Sequence, residues 1–134
     1  MSSASVELAE YLEDEGVGTV GTDIFVDKQP LGAVNSLLIV TYPGAPPEHR
    51  MDGTSDVRFT FPNVQVRVRN TDDATAVAKA NAAARALGKV ANQTIEGTYY
   101  RSVNLIQQPG LIERDENDRM IQGFSAQAER QAIL

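Results

Sequence analysis

The chain has no cysteine, no tryptophan and a single histidine in 134 residues. Without cysteine there is no disulfide framework, no thiolate zinc site and no cysteine nucleophile. The lone histidine, His49, has no triad partner or set of metal ligands near it in sequence and reads as an exposed loop residue. Also missing is any apolar run approaching the ~20 residues of a membrane span. The first residues, Met1 to Glu7, lack a basic region and an apolar segment and read as no signal peptide. Positive charge is scarce: 12 basic residues against 18 acidic ones give a net charge of −6. That balance argues against phosphate-backbone binding as the main task. Scattered carboxylates (Asp23, Asp27, Asp52, Asp56) have no spacing that commits them to a metal or an acid–base pair. No catalytic residue, metal or cofactor is therefore expected, and an assembly component is the more natural reading than an enzyme.

The length fits one domain, 1–134, able to bury about two-thirds of its unfolded surface without a disulfide or metal. Its most informative stretch is Asn63 to Lys89. Val64, Val66 and Val68 alternate with Gln65, Arg67 and Arg69, the period-two mark of a half-buried strand. Then the period changes, and Val77, Ala80, Asn81, Ala84, Leu87 and Val90 recur at helical spacing. The switch falls at Asn70-Thr71-Asp72-Asp73, a cluster of N-cap residues with acids suited to a helix N-terminus. Gly88 sits where a left-handed C-terminal cap is expected.

Ser3 to Glu15 predicts a first helix, with Leu8, Ala9, Leu12 and Ser5 on one face and Glu7, Glu10 and Asp14 mostly elsewhere. Glu13-Asp14-Glu15 set three acids against the negative end of the helix dipole. They read as a solvated helix end or as a contact with a basic surface on a partner. Gly16 to Gly21 matches G-x-G-x-x-G letter for letter. A dinucleotide site needs a strand before it and a helix after it, and here the order is reversed, so it reads as a Gly-rich connector.

Val34 to Tyr42 reads as a strand buried on both faces, stopped by Pro43-Gly44. Residues 43–56 form a Pro/Gly/polar loop, expected either to be mobile and to order against a partner or to be plainly disordered. Arg58 to Phe61 leads into the valine strand, with Pro62 at an edge or bulge. Thr94 to Gln108 has β character, broken by Gly97, and ends at Pro109-Gly110. Asp115 to Asp118 is a polar hairpin turn, too short to be an EF-hand. Met120 to Glu129 returns as a last strand, with Met120, Phe124, Ala126 and Ala128 on one face, before a frayed tail at 131–134. The fold class predicted is α+β: a mainly antiparallel sheet of four to five strands with two helices packed on one face.

Several pieces recur in order along the chain: Glu10-Tyr11-Leu12-Glu13 through Gly18-Thr19, then Thr22 to Val26, and the Pro62 to Arg69 strand with its alanine-rich helix. Gly97-Thr98-Tyr99, Gln108-Pro109 and Arg114-Asp115-Glu116-Asn117 follow, with a closing strand near Phe124. In this the chain resembles siphophage minor capsid and tail terminator proteins, of lambda-like tail terminator fold. No single piece is diagnostic, and the 43–56 loop has no matching motif.

The resemblance implies a small α/β domain that forms a homo-oligomeric, hexameric ring at the head-proximal end of the tail tube. It implies capping: the ring stops tube polymerisation and presents the surface that docks the head connector. The partners implied are the tail tube protein and the head-completion or connector protein, with DNA only as cargo passing the lumen. The location implied is the tail or neck of the virion. A neighbouring head-closure or head–tail joining protein is the alternative, and a small-molecule-binding or enzymatic domain the reading from another class. Candidate subunit or tube contacts are Gln65, Arg67 and Arg69 on the polar strand face, Glu48, His49 and Arg50 in the long loop, and Asp115 and Glu116 in the hairpin turn.

Overall fold

The computed structural model describes residues 3–29, 35–47 and 57–133. The elements run α1 (Ala4–Asp14), β1 (Ile24–Val26), β2 (Ser36–Ala45), β3 (Val57–Asn70), α2 (Asp73–Gly88), β4 (Ala91–Ile95), β5 (Thr98–Leu105), β6 (Gly110–Arg114) and β7 (Met120–Ile133). Two helices and one sheet make an α+β fold. The expected four to five mainly antiparallel strands are corrected to seven in a mixed sheet. Their order is β1-β2-β3-β7-β5-β4, with β6 paired to β7. Among the described strands, only the β1–β2 pairing is parallel. The extra strands are short edge strands whose side chains hardly alternate in polarity, so their sequence signal is weak.

β3 and β7 are the spine, 14 residues each and paired antiparallel from Val57↔Ile133 to Asn70↔Met120. Each spans roughly 45 Å at about 3.3 Å per residue. The first part of β7 lies between β3 and β6, and its later part between β3 and β5. Pairing reaches Ile133, so residues 131–133 are strand where a frayed tail was expected. β2 likewise does not stop at Pro43-Gly44. It continues to Ala45 through a register shift between Tyr42 and Ala45, opposite Phe61 to Asn63. Pro62 falls at this bulge, where a missing N–H costs no ladder bond.

One face of the sheet carries the core. Leu37 and Ile39 of β2, Val64, Val66 and Val68 of β3, and Phe124, Ala126 and Ala128 of β7 are fully or almost fully buried. Against them pack Leu8, Ala9 and Leu12 of α1 and Ala80, Ala83 and Leu87 of α2. The alanines let α2 lie close to the sheet while favouring helix. The buried stripe of α2 is Ala76, Ala80, Ala83, Ala84 and Leu87, whereas Val77 is exposed. It is rotated from the stripe that the sequence suggested, because small alanines can fill the tight space above the sheet that valine would overfill.

The helix ends follow local chemistry. Asp72 caps α2, accepting from Thr75 N–H at 3.1 Å. α2 ends at Lys89 in ordinary right-handed geometry, so Gly88 is not the left-handed cap expected of it. α1 ends with that device instead. Gly16 has φ 81°, Gly16 N–H donates to Glu13 O, and Val17 N–H donates to Leu12 O, which is a Schellman closure. The glycine-rich stretch therefore closes a helix and leads into β1, as a connector. In the β4–β5 hairpin, Glu96 and Gly97 both have positive φ, the conformation of a type I′ turn.

Candidate interaction surface

The alternation in β3 places Gln65, Arg67 and Arg69 on the sheet face away from the helices. Their neighbours across the ladders are Val40, Leu38 and Ser36 on β2, and Ser125, Gly123 and Ile121 on β7. All three side chains are half-buried rather than fully solvated. Arg67 lies opposite Gly123, and a Cβ there would meet Ile112 Cδ1 at 2.1 Å. Ile112 of β6 thus roofs the glycine beside Arg67, and the buried Arg67 Nε has no hydrogen-bond partner among the described residues.

Arg69 and Asp115, far apart in sequence, are brought together through the β6–β7 hairpin. Asp115 accepts from Arg119 Nε at 2.6 Å and from the Arg119 and Asn117 backbone N–H groups at 2.9 Å each. Burial works to raise the Asp115 pKa, but these donors outweigh it and hold the carboxyl below its ordinary value. Burial, reinforced by the like charge of Arg119, lowers the Arg69 pKa, and Asp115 partly offsets both. Glu116 stands exposed at the turn, outside this cluster. Glu48, His49 and Arg50, like most of the 43–56 loop, lie outside the described residues.

Neighbouring Arg114 makes a two-point contact with Asp73 at the start of α2, at 2.6 and 3.2 Å. It ties the hairpin to the helix layer. The contact lowers the Asp73 pKa and raises that of Arg114. At the other end of the same outer face, Arg101 Nε donates to Glu129 at 2.7 Å, and its guanidinium sits 4.2 Å from the Phe59 ring centroid.

The polar centre of the domain has no signal in the residue pattern. Glu7, expected off the buried face, is 1% exposed. Its carboxylate accepts from Arg130 Nη2 and Tyr100 Oη at 2.7 Å each, and from Thr98 Oγ1 at 2.5 Å. One ion pair and two hydroxyls thereby fix α1 onto β5 and β7. Burial, first, and the bond to Glu7 push the Tyr100 hydroxyl far above its ordinary pKa.

Among the described residues, no group of three or more His, Cys, Asp or Glu side chains could hold a metal ion. No described helix is long and apolar enough to cross a membrane.

A family model for the bacteriophage tail terminator protein matches residues 11–131, which span nearly the whole sheet, all of α2 and the last turn of α1. The chain belongs to the bacteriophage tail terminator family. It is thereby a structural protein of the phage tail. A comparison with curated proteins found no match. Among solved structures, a chain of the virion of a native gene transfer agent particle shares the fold. Its TM-score is 0.56 at 16% identity, over 96% of this chain and 87% of that one. In this chain the Pro62 to Arg69 stretch supplies part of the central strand. Gln108-Pro109 marks the break between β5 and β6, and Arg114 to Asn117 forms the ion-paired hairpin turn.

Proposed function

We propose that this chain is a tail terminator subunit that assembles as a hexameric ring on the head-proximal end of the tail tube. The ring stops tube polymerisation because one of its faces is complementary to the last tube ring and the other is not. The second face docks the head connector, and DNA passes through the lumen as cargo. The observation that carries this reading is the family match across 11–131. The acidic balance of the chain suits a surface past which DNA must slide. The outer face of β3, with Gln65, Arg67 and the Arg69–Asp115–Arg119 group, is the proposed subunit or tube contact, and Glu116, Glu48, His49 and Arg50 are proposed as further contact residues. No catalytic step is assigned to the chain.

Particles lacking the protein are expected to carry tails of uncontrolled length, seen by electron microscopy. Tails of normal length that fail to join heads would overturn the reading in favour of a head-closure or joining protein. Arg67→Glu is expected to leave the thermal unfolding midpoint within a few degrees of wild type while impairing assembly. Wild-type assembly of that variant would reduce the arginine face to solvated surface.

A further inference from the structure

On the flank of α2 away from α1, a groove of about 500 Å³ runs between the helix and residues 105–109. Ala84, Gly88, Leu105 and Pro109 form its apolar lining, and Arg85 and Lys89 stand at its rim. Leu105 is 41% exposed and the adjoining Ile106 is 55% exposed. Neither Arg85 nor Lys89 has an ion pair among the described residues, whereas Lys79, Arg101, Arg114, Arg119 and Arg130 are all paired to carboxylates. In a chain with an excess of acids, two uncompensated cations beside exposed apolar side chains mark a surface that matches something acidic.

The acidic counterpart is on α1. Val6, Glu10, Glu13 and Asp14 share one helix face at the i, i+4, i+7, i+8 positions. Val6 is 38% exposed, and Glu96 of the β4–β5 turn adds a further carboxylate. Glu13 accepts from Val20 N–H at 2.9 Å, while burial, then the charges of Glu13, Glu96 and Asp14, raise the Glu10 pKa, so the carboxylates crowd one another on this face.

The two surfaces face apart. On α2, the Ala86 carbonyl accepts from Tyr11 of α1, and Lys79 pairs with Asp23 just before β1. At about 3.6 residues per turn, Ala84 and Gly88 lie on the flank broadly opposite Ala86. A closed ring requires two different complementary patches on separate sides of the subunit, repeated head to tail.

We propose that the acidic face of α1 on one copy docks in the Arg85/Lys89 groove of the next copy. This inference rests on the ring reading above and names its subunit contact. Exposed Leu105 and Ile106 receive Val6 and the helix backbone, and the rim cations neutralise Glu10 and Asp14.

The chain has no native cysteine, so a disulfide test is clean. Purified Asp14→Cys/Lys89→Cys protein, assembled on tail tubes and oxidised, is expected to give a reducible ladder of multimers, while either single variant gives none. Arg85→Glu/Lys89→Glu is expected to raise the concentration for half-assembly about ten-fold or more. Adding Glu10→Lys and Asp14→Lys in the same chain restores assembly. Circular dichroism confirms that each variant is folded, all four positions being at the surface. If wild-type rings form and the groove reversal assembles normally, this contact is wrong and the ring reading stands. If the reversal leaves rings intact but abolishes tube binding, the occupant is the tube protein and the proposal fails. If wild-type protein stays monomeric on tube ends, both fail.

Discussion

Glu7 carries more of the fold than any exposed carboxylate in the chain. Its partners Arg130, Tyr100 and Thr98 are themselves buried, so its removal takes from the interior the carboxylate that balances the Arg130 charge. Glu7→Ala is expected to cost about 3–5 kcal/mol, the range for breaking one side of a buried ion pair. Urea denaturation reads this as a lower midpoint at unchanged slope. Glu7→Leu combined with Arg130→Met is expected to recover part of the loss, because both charges leave together while the Tyr100 and Thr98 hydroxyls lose their acceptor. Val66 tests the apolar core in the same way. At 0% exposure on the central strand, Val66→Asp buries an unpaired charge at a cost of several kcal/mol, and the variant is expected not to fold. Arg67, one residue on and half-buried on the opposite face, tolerates charge reversal without unfolding.

Elements are held in register by features that the residue types alone do not display. The bulge in β2 brings Gly44 against β3 so closely that a Cβ would lie 1.7 Å from Phe61 O. A backbone oxygen cannot swing away as a side chain can. Gly44→Ala is therefore expected to shift the bulge and lower stability by about 1–3 kcal/mol, the usual cost of overpacking. Gly88→Ala is the contrasting case. Nothing lies within 4 Å of its added Cβ and its φ is not positive, so the substitution is expected to stabilise α2 by about 0.5–1 kcal/mol. Thermal unfolding of the two variants moves in opposite directions. At the β6–β7 turn, the contact to α2 is the exposed Arg114–Asp73 pair, which is lost at high salt more readily than the buried Glu7–Arg130 pair.

For the molecule as a whole, acid stability follows from a set of carboxylates with lowered pKa values. The Arg101 guanidinium holds Glu129 below its ordinary 4.5. Arg114 does the same for Asp73, ordinarily at 3.8. In Asp23, burial opposes the shift, but the bond from Thr19 and the Lys79 charge prevail. Such groups stabilise the fold above their unfolded pKa, and that contribution is lost as pH falls through their lower folded values. The unfolding midpoint is expected to change little between pH 7 and about 5.5 and to fall below about 4.5. Glu10 has the opposite sign: its raised pKa means that its charged form costs stability at neutral pH. Glu10→Gln is therefore expected to melt higher than wild type at pH 7, with the difference vanishing in acid. Assembly that neutralises this cluster removes the same penalty.

Local chemistry along the chain determined much by itself. The V-Q-V-R-V-R alternation specifies a strand with one buried face, because side chains point to opposite sides at every step. The Asp72 cap, the alanine-rich helix, the turn at Gly97 and the hairpin at Asp115 to Asp118 are equally local, and so was the resemblance to tail terminators. Tertiary structure decided what depends on distant partners. Only the fold shows that Glu7 meets Arg130, 123 residues away, rather than water. Only packing explains why alanines displace Val77 from the buried stripe, and why the short strands at Ala91 to Ile95 and Gly110 to Arg114 exist. Their strand state comes from ladder bonds to β5 and β7, not from their own pattern. The candidate surface divides in the same way. Gln65, Arg67 and Arg69 were legible from the alternation, but the joining of Arg69 to Asp115 and the opening of a basic groove beside α2 were not. Each needs two segments that meet only when the sheet has formed.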